Sequence, residues 1–282
     1  MRVRSVQELD LSLLLRSRAV LAMVDLDAAS SVADLGCATG TFAARLACPG
    51  RVVTAVDASE QSLAELERLH GDLVARGLLV AVHADLTQLP LESAGVDVAF
   101  CMEVLEHVRE DEEALREIAR IVRPGGVLAL SVPNSRAPKP LVERLGAASV
   151  HREPGPAEHV REGYTEDELS EMLSAAGFRP TSVRGVGGAL YRFVTSLVAL
   201  AHLAYRRSRG QRSWSWADME GDAGRPLFRA YARIFGVLGS LVSLERLDRP
   251  PGRSAMLVVT AELISAQARE SASADSRSRE DS

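Results

Sequence analysis

The stretch Val32-Ala33-Asp34-Leu35-Gly36-Cys37-Ala38-Thr39-Gly40-Thr41 decides the fold of this chain. Its apolar start is typical of a short strand buried on both faces. Gly36 and Gly40 indicate a tight turn in which a side chain would block the approach of a ligand. Thr41 is suited to cap a helix over residues 42–47, whose N-terminus would present free N–H groups to a bound molecule. The stretch therefore predicts a strand, a glycine turn and a helix, with a ligand above the turn.

The spacing separates this turn from the phosphate-binding turn of dinucleotide enzymes. Those enzymes need G-x-G-x-x-G, whereas the order here is Asp-x-Gly-x-x-x-Gly. A carboxylate at Asp34 repels phosphate and suits a ligand that carries a cationic amino group. The pattern therefore disfavours a nicotinamide dinucleotide.

Two further predicted strands, over residues 51–57 and 78–85, also end in an acid. A carboxylate at Asp57 can accept hydrogen bonds from both hydroxyls of a ribose, although it could instead cap the helix predicted from Ser59. Asp85 ends the third strand, with a solvated loop acid as the alternative interpretation. Three successive acids at one sheet edge fit a sulfonium nucleoside better than a dinucleotide.

Later stretches carry a family resemblance. The text EVLEHV (residues 103–108) and the text RIVRPGGVLALSVPN (residues 120–134), together with the glycine turn, resemble the class I S-adenosylmethionine-dependent methyltransferases. Within that family they are similar to the branch of ubiquinone-biosynthesis O-methyltransferases. The resemblance covers about residues 30–185. It implies an α/β fold, with a Rossmann-like, seven-stranded, mostly parallel sheet, helices on both faces and an antiparallel last strand. The chain departs from the family at Ala38, where a glycine is usual.

The resemblance implies S-adenosylmethionine as the cofactor. Asp57 would bind its ribose, Asp85 would accept from its adenine amino group and Leu86 would pack on the ring. The cofactor-binding residues that it implies are Asp34, Gly36, Cys37, Ala38, Gly40, Asp57, Ala58, Ala84, Asp85, Leu86, Cys101 and Met102.

The candidate catalytic residues follow the fourth predicted strand, over residues 96–102. His107 lies where an acceptor would meet the methyl group, and it is our candidate general base; a histidine that merely packs or caps is the alternative. Glu103, Glu106 and His107 share one face if their turn is helical, and two carboxylates with an imidazole can hold a divalent metal. Resemblance to metal-dependent O-methyltransferases adds His159 to that set. The alternative is two acids favoured by a helix dipole.

The domain organisation follows from patterning. Residues 1–265 are predicted to form one domain, and the polar residues 266–282 a disordered tail. Residues 1–28 should form a helical cap; the resemblance implies that it covers the cofactor or the substrate, and a helix that simply packs on the sheet edge is the alternative. A helical insertion over residues 187–251 precedes the last strand, and we favour a lid over core helices or a membrane-surface helix.

Charge and composition limit the function further. The net charge of −5 and the lack of a basic stripe argue against nucleic acid as a partner. Charged residues near the start argue against a signal peptide, and three cysteines without a CxxC pair indicate reduced thiols in a cytoplasmic protein. We therefore predict methyl transfer to a small-molecule acceptor, at a hydroxyl oxygen. An NAD(P)-dependent oxidoreductase and a non-catalytic nucleoside-binding or membrane-associated protein are the alternatives.

Overall fold

The computed structural model describes residues 10–138, 160–197, 237–239 and 251–265. Its strands are β1 (Ser31–Leu35), β2 (Val52–Asp57), β3 (Leu79–His83), β4 (Val96–Met102), β5 (Val122–Pro133), β6 (Phe178–Val186) and β7 (Met256–Leu263). Its helices are α1 (Leu11–Leu21), α2 (Ala43–Leu46), α3 (Glu60–Ala75), α4 (Asp111–Ile121) and α5 (Glu166–Ala176). Residues 189–197 are also helical, and a 3₁₀ turn spans Leu105–His107.

The strands form one seven-stranded sheet in the order β3-β2-β1-β4-β5-β7-β6. All pairings between β3 and β5 are parallel, and only β7 runs antiparallel to its neighbours, β5 and β6. The predicted fold class, with its antiparallel last strand, is therefore confirmed. The strand order reverses beside β1, which is where ligands bind in open α/β sheets.

Helices cover both faces of the sheet, as predicted. One face packs against α1, α3 and the 189–197 helical segment through side chains such as Leu15, Leu66 and Val194. The other face packs against α4 and α5 through Ile118 and Leu173. The two cores lie above and below the sheet, so the carboxyl edge of the strands remains available for a site.

The segment between β6 and β7 leaves and re-enters the sheet at one place. Val186, the last residue of β6, pairs with Met256, the first residue of β7. The Ala255 N–H donates to the carbonyl oxygen of Gly187 at 2.8 Å. The two ends of the predicted insertion are thus joined directly at the sheet.

Several predicted boundaries differ from the structure. Thr41 does not cap α2: its hydroxyl is buried with no hydrogen-bond partner among the described residues, and Phe42 occupies the cap position. β3 ends at His83, so Asp85 lies two residues beyond it rather than at its end. β5 begins at Val122: the Pro-Gly-Gly sequence at residues 124–126 is typical of a break between a helix and a strand, but it lies within β5, where the register with β4 shifts.

Some predictions fall partly or wholly outside the described residues. These are the first nine residues of the cap, most of the 187–251 insertion, the tail over residues 266–282 and the candidate ligand His159. The three cysteines are free thiols. Within the described ranges, no helix combines the length and the apolar character that a membrane crossing requires.

Candidate functional site

The glycine turn after β1 is fixed to the end of β2. The N–H groups of Gly36 and Cys37 donate to the carbonyl oxygen of Val56 at 2.8 and 2.9 Å. The Ala38 N–H donates to Oδ2 of Asp57 at 2.7 Å, and Oδ1 accepts from the Ser59 N–H at 2.9 Å. The sequence thus brings the turn and the Asp57 carboxylate together. Ser59, and not Asp57, is the N-cap of α3.

The two glycines are required by their backbone and by the chain's own side chains. Both have a φ of 73°, in the left-handed region that favours glycine. A Cβ at Gly36 would lie 2.3 Å from Cγ2 of Val104, and one at Gly40 would lie 2.6 Å from Cγ of Leu66. Ala38 has a φ of 48° between them, a conformation that costs a side chain about 1–2 kcal/mol.

Asp34 is a buried carboxyl group with unused hydrogen-bonding capacity. It is 3% exposed, the Ala43 N–H donates to it, and its Oδ2 has no partner among the described residues. Burial, reinforced by the charge of Asp57, raises the pKa of Asp34 to about 7. Because an unpaired buried carboxylate is costly, a ligand that brings a cationic donor would stabilise its charged form.

Arg16 on α1 supplies a positive charge to this edge, and the sequence reasoning did not identify it. Its side chain is 15% exposed, and its Nη1 donates to Oγ of Ser12 at 2.6 Å, while Nε has no partner in the described part of the chain. Its charge offsets part of the rise that burial causes in the pKa values of Asp34, Glu103 and Glu106. The signal in the sequence was one arginine after the apolar run Leu13-Leu14-Leu15.

The turn after β4 holds one half-buried acid, Glu103, and one fully buried acid, Glu106. Glu103 has a φ of 58°; its N–H donates to the carbonyl oxygen of Ser131 at 2.9 Å, and its Oε1 accepts from Oγ of Ser131 at 3.2 Å. Glu106 is fully buried, with neither carboxylate oxygen hydrogen-bonded among the described residues. Burial and the nearby Glu103 raise the pKa of Glu106 well above its usual range. A left-handed residue at a strand end is typical of functional sites.

The imidazole of His107 follows β4, as predicted. Its backbone N–H donates to the carbonyl oxygen of Val104 at 2.9 Å, which closes the 3₁₀ turn. The side chain is half-buried. Since Glu103 precedes this turn in a left-handed conformation, the three predicted residues do not share an α-helical face.

The candidate metal ligands are Glu103, Glu106, His107 and His159. Within residues 10–138, 160–197, 237–239 and 251–265, no three or more His, Cys, Asp or Glu side chains are arranged to hold a metal ion. Glu103 instead accepts a hydrogen bond from Ser131, and His159 lies outside the described residues. The described residues do not fit a metal centre, so we derive no catalytic step through one.

The remaining predicted cofactor residues surround the Asp57 edge. The Ala84 N–H donates to the carbonyl oxygen of Asp57 at 3.2 Å, so the ends of β2 and β3 are joined. Asp85 is exposed; its Oδ1 accepts from the N–H and the hydroxyl of Thr87, which lowers its pKa. Leu86 is buried beside it. The other predicted residues are Cys37, Cys101 and Met102, which are buried, and Ala58, whose carbonyl oxygen lies 3.0 Å from Nε2 of His83.

Comparison with known proteins identifies the family. A family model described as a methyltransferase domain matches residues 33–130. The chain is 33% identical over 173 residues to a ubiquinone biosynthesis O-methyltransferase of Bordetella avium, an alignment that covers 60% of this chain and 69% of that protein. The chain belongs to the class I S-adenosylmethionine-dependent methyltransferases.

Other similar proteins agree with this family. A Mycobacterium tuberculosis protein named as an S-adenosylmethionine-dependent methyltransferase is 32% identical over 158 residues, which cover 56% of this chain and 52% of that protein. The crystal structure of an S-adenosylmethionine-dependent methyltransferase from Mesorhizobium loti is similar in fold, with a TM-score of 0.50 and 18% identity over 87% of this chain and 96% of that one. The methyltransferase therefore uses S-adenosylmethionine, as predicted, and the oxidoreductase alternative falls away.

Proposed function

We propose that this methyltransferase transfers its methyl group to a hydroxyl oxygen of a small-molecule acceptor, with His107 as the general base. The observation that carries the proposal is that the 3₁₀ turn with His107 follows β4, which pairs in parallel with β1, so this turn and the glycine turn after β1 follow the same end of the sheet. The identity to a protein named as an O-methyltransferase supports oxygen as the nucleophile. The net charge of −5 supports a small molecule rather than a nucleic acid.

The chemistry needs positioning and removal of one proton. The methyl group of a sulfonium is already activated and the thioether leaves as a neutral group, so in-line alignment is the main requirement. Bound S-adenosylmethionine would supply the methyl group to the acceptor oxygen, and the electrons of the carbon–sulfur bond would stay on the neutral thioether. The hydroxyl proton passes to the neutral imidazole of His107.

Asp57 and Asp85 are the proposed contacts for the nucleoside. Each oxygen of Asp57 holds one backbone N–H and keeps acceptor capacity for a ribose hydroxyl. Asp85 uses Oδ1 for Thr87 and has Oδ2 available for the adenine amino group. Leu86, buried next to it, would pack on the ring.

Asp34 and Arg16 are the proposed contacts for the methionine end of the cofactor. That end is a zwitterion, so it needs an anion and a cation side by side. Among the described residues, Oδ2 of Asp34 has no partner and is proposed for the amino group, and Nε of Arg16 has no partner in a planar guanidinium suited to a carboxylate.

Two assays test this function. Calorimetric titration with S-adenosylmethionine and S-adenosylhomocysteine tests the cofactor site, and the absence of binding to the folded protein would refute it. Transfer of labelled methyl to matched phenol, catechol and aniline acceptors then tests the nucleophile, with and without added Mg²⁺ or a chelator. We expect hydroxyl products and a loss of about 100-fold or more in kcat for His107→Gln, with unchanged affinity for S-adenosylhomocysteine. Methylation of the amines alone would contradict the proposal.

A further inference from the structure

We propose that Arg161 is a positioning residue for methyl transfer, because it holds the turn that carries His107. The inference rests on the proposed function, in which His107 is the base. It concerns the post-β5 segment, whose described residues are 134–138 and 160–165. Arg161 in this segment is far in sequence from the turn that it contacts.

The contact is made through one peptide group. The N–H groups of Val160 and Arg161 both donate to the carbonyl oxygen of Glu106, at 2.9 and 3.2 Å. The N–H of His107, at the other end of that peptide group, donates to the carbonyl oxygen of Val104 at 2.9 Å. Because the peptide group is planar, these bonds together fix its orientation and therefore the direction in which the His107 side chain leaves the backbone.

The guanidinium of Arg161 fixes this segment to two helices. Its Nη1 lies 3.3 Å from Oδ2 of Asp111, in the first turn of α4, and its Nη2 lies 2.9 Å from Oε1 of Glu168, in the first turn of α5. Its Nε donates to the carbonyl oxygen of Gly163 at 3.3 Å. Three donors of one planar group thus reach three anchors, which a lysine ammonium on its single flexible stem does not reproduce.

Tyr164 gives the guanidinium a rigid platform. Its ring is fully buried, and Cζ of Arg161 lies 4.3 Å from the ring centroid. Its hydroxyl donates to Oδ2 of Asp111 at 2.8 Å, and burial together with that carboxylate raises the pKa of Tyr164, so it remains a donor. Its backbone pairs with β5 through the Pro133 carbonyl oxygen at 2.9 Å. The segment is therefore tied to the sheet as well as to both helices.

Removal of the Arg161 side chain should change the turn that carries His107 without changing cofactor affinity, whereas a general loss of structure would change both. None of the hydrogen bonds or ion pairs that the structure gives for Arg161 reaches the glycine turn or Asp57. Removal of its side chain should therefore leave cofactor affinity unchanged and act on the turn alone. A displacement of about 1 Å at a reacting group can reduce turnover by about 100-fold.

The experiment compares Arg161→Ala, Arg161→Lys and a matched control, Arg136→Ala. Arg136 forms an exposed ion pair with Asp167 at 3.4 Å, which also links the post-β5 segment to α5. The main measurement is the NMR signal and titration of the His107 imidazole, assigned with His107→Gln, with His70 and His83 as internal references. Affinity for S-adenosylhomocysteine is measured alongside.

We expect Arg161→Ala to shift the signal and the titration midpoint of His107, with Arg161→Lys in between and Arg136→Ala like the wild type. The affinity for S-adenosylhomocysteine should stay within about twofold of the wild type. The His70 and His83 signals should not move beyond the measurement error. With an active acceptor, kcat should fall about tenfold or more. An unchanged His107 signal in a less stable protein, or equal shifts of all three histidines, would overturn the proposal.

A second variant keeps the test decisive if Arg161→Ala does not fold. Tyr164→Phe keeps the ring and removes only the bond to Asp111, so it should shift His107 in the same direction by less. An unmoved His107 in that variant would also refute the role. Failure of the wild type to bind S-adenosylhomocysteine would refute the proposed function. The His107 signal would still test whether Arg161 holds the turn that carries His107.

Discussion

Replacement of Asp34 by asparagine should stabilise the ligand-free protein, by an amount that grows with pH. Asp34 is buried, and its pKa rises from 3.8 to about 7. Below pH 3.8 the carboxyl is protonated in both the folded and the unfolded protein, so it does not lower the free energy of unfolding. Between the two pKa values the unfolded chain releases the proton that the folded protein keeps. The free energy of unfolding therefore falls by about 1.4 kcal/mol per pH unit. Above pH 7 the full cost of about 4 kcal/mol applies.

The assay is urea unfolding of both proteins at pH 5 and pH 9. An amide carries no charge, so the variant does not have this cost. The unpartnered amide group adds a penalty that is the same at both pH values and cancels in the comparison. The free energy of unfolding of Asp34→Asn, relative to the wild type, should rise by about 3 kcal/mol from pH 5 to pH 9. A difference that does not change with pH would refute the reasoning. In the same variant, affinity for S-adenosylmethionine should fall about 10- to 100-fold, because an ionic hydrogen bond is lost.

Three further substitutions test the site and the turn. Asp57→Ala should weaken S-adenosylhomocysteine binding about 100-fold by calorimetry, since two charge-assisted bonds are lost, and an unchanged affinity would contradict the ribose assignment. Arg16→Ala should weaken binding of S-adenosylhomocysteine but not of 5′-methylthioadenosine, which lacks the amino acid; the exposed Arg18→Ala on the same helix is the control, and equal losses for both ligands would indicate a structural effect. Gly40→Ala should lower the free energy of unfolding by about 2–4 kcal/mol, because its Cβ would lie 2.6 Å from a leucine side chain. Gly50→Ala, with an open space at a φ of 88°, should cost only about 1 kcal/mol, and equal costs at the two glycines would count against the steric argument.

The order of strands and helices was predictable because the local signals agree with the global fold. β1, β2 and β4 are short apolar runs, and α5 has local signals at both ends: the capping box Thr165–Glu168 at its start and the left-handed Gly177 at its end. The start of β5 was not predictable, since pairing with β4 overrides the Pro-Gly-Gly break. Non-local packing decides such boundaries.

The site was predictable in its acids but not in their environment. Asp34 and Asp57 follow directly from the strand and turn pattern. The position of Arg16 and the burial of Glu106 depend on how α1 and the post-β5 segment pack, which no local pattern encodes. Arg161 and Asp111 are 50 residues apart in the chain, so only the folded structure shows that they form an ion pair.

The direct pairing of Val186 with Met256 limits the free-energy cost of changing the length of the chain between β6 and β7. Since the bonds at the sheet already bring the two ends of the intervening chain together, lengthening or exchanging that chain adds only a small closure entropy, about 0.6 kcal/mol for each doubling of length. β1 and β2, which carry Asp34 and Asp57, lie on the other side of β4 and β5 from this junction, whereas α1 contacts it through Oγ of Ser12, which lies 3.6 Å from Sδ of Met256. The chain between Gly187 and Ala255 can therefore change in length at a small cost in closure entropy while the strands that carry Asp34 and Asp57 keep their pairing.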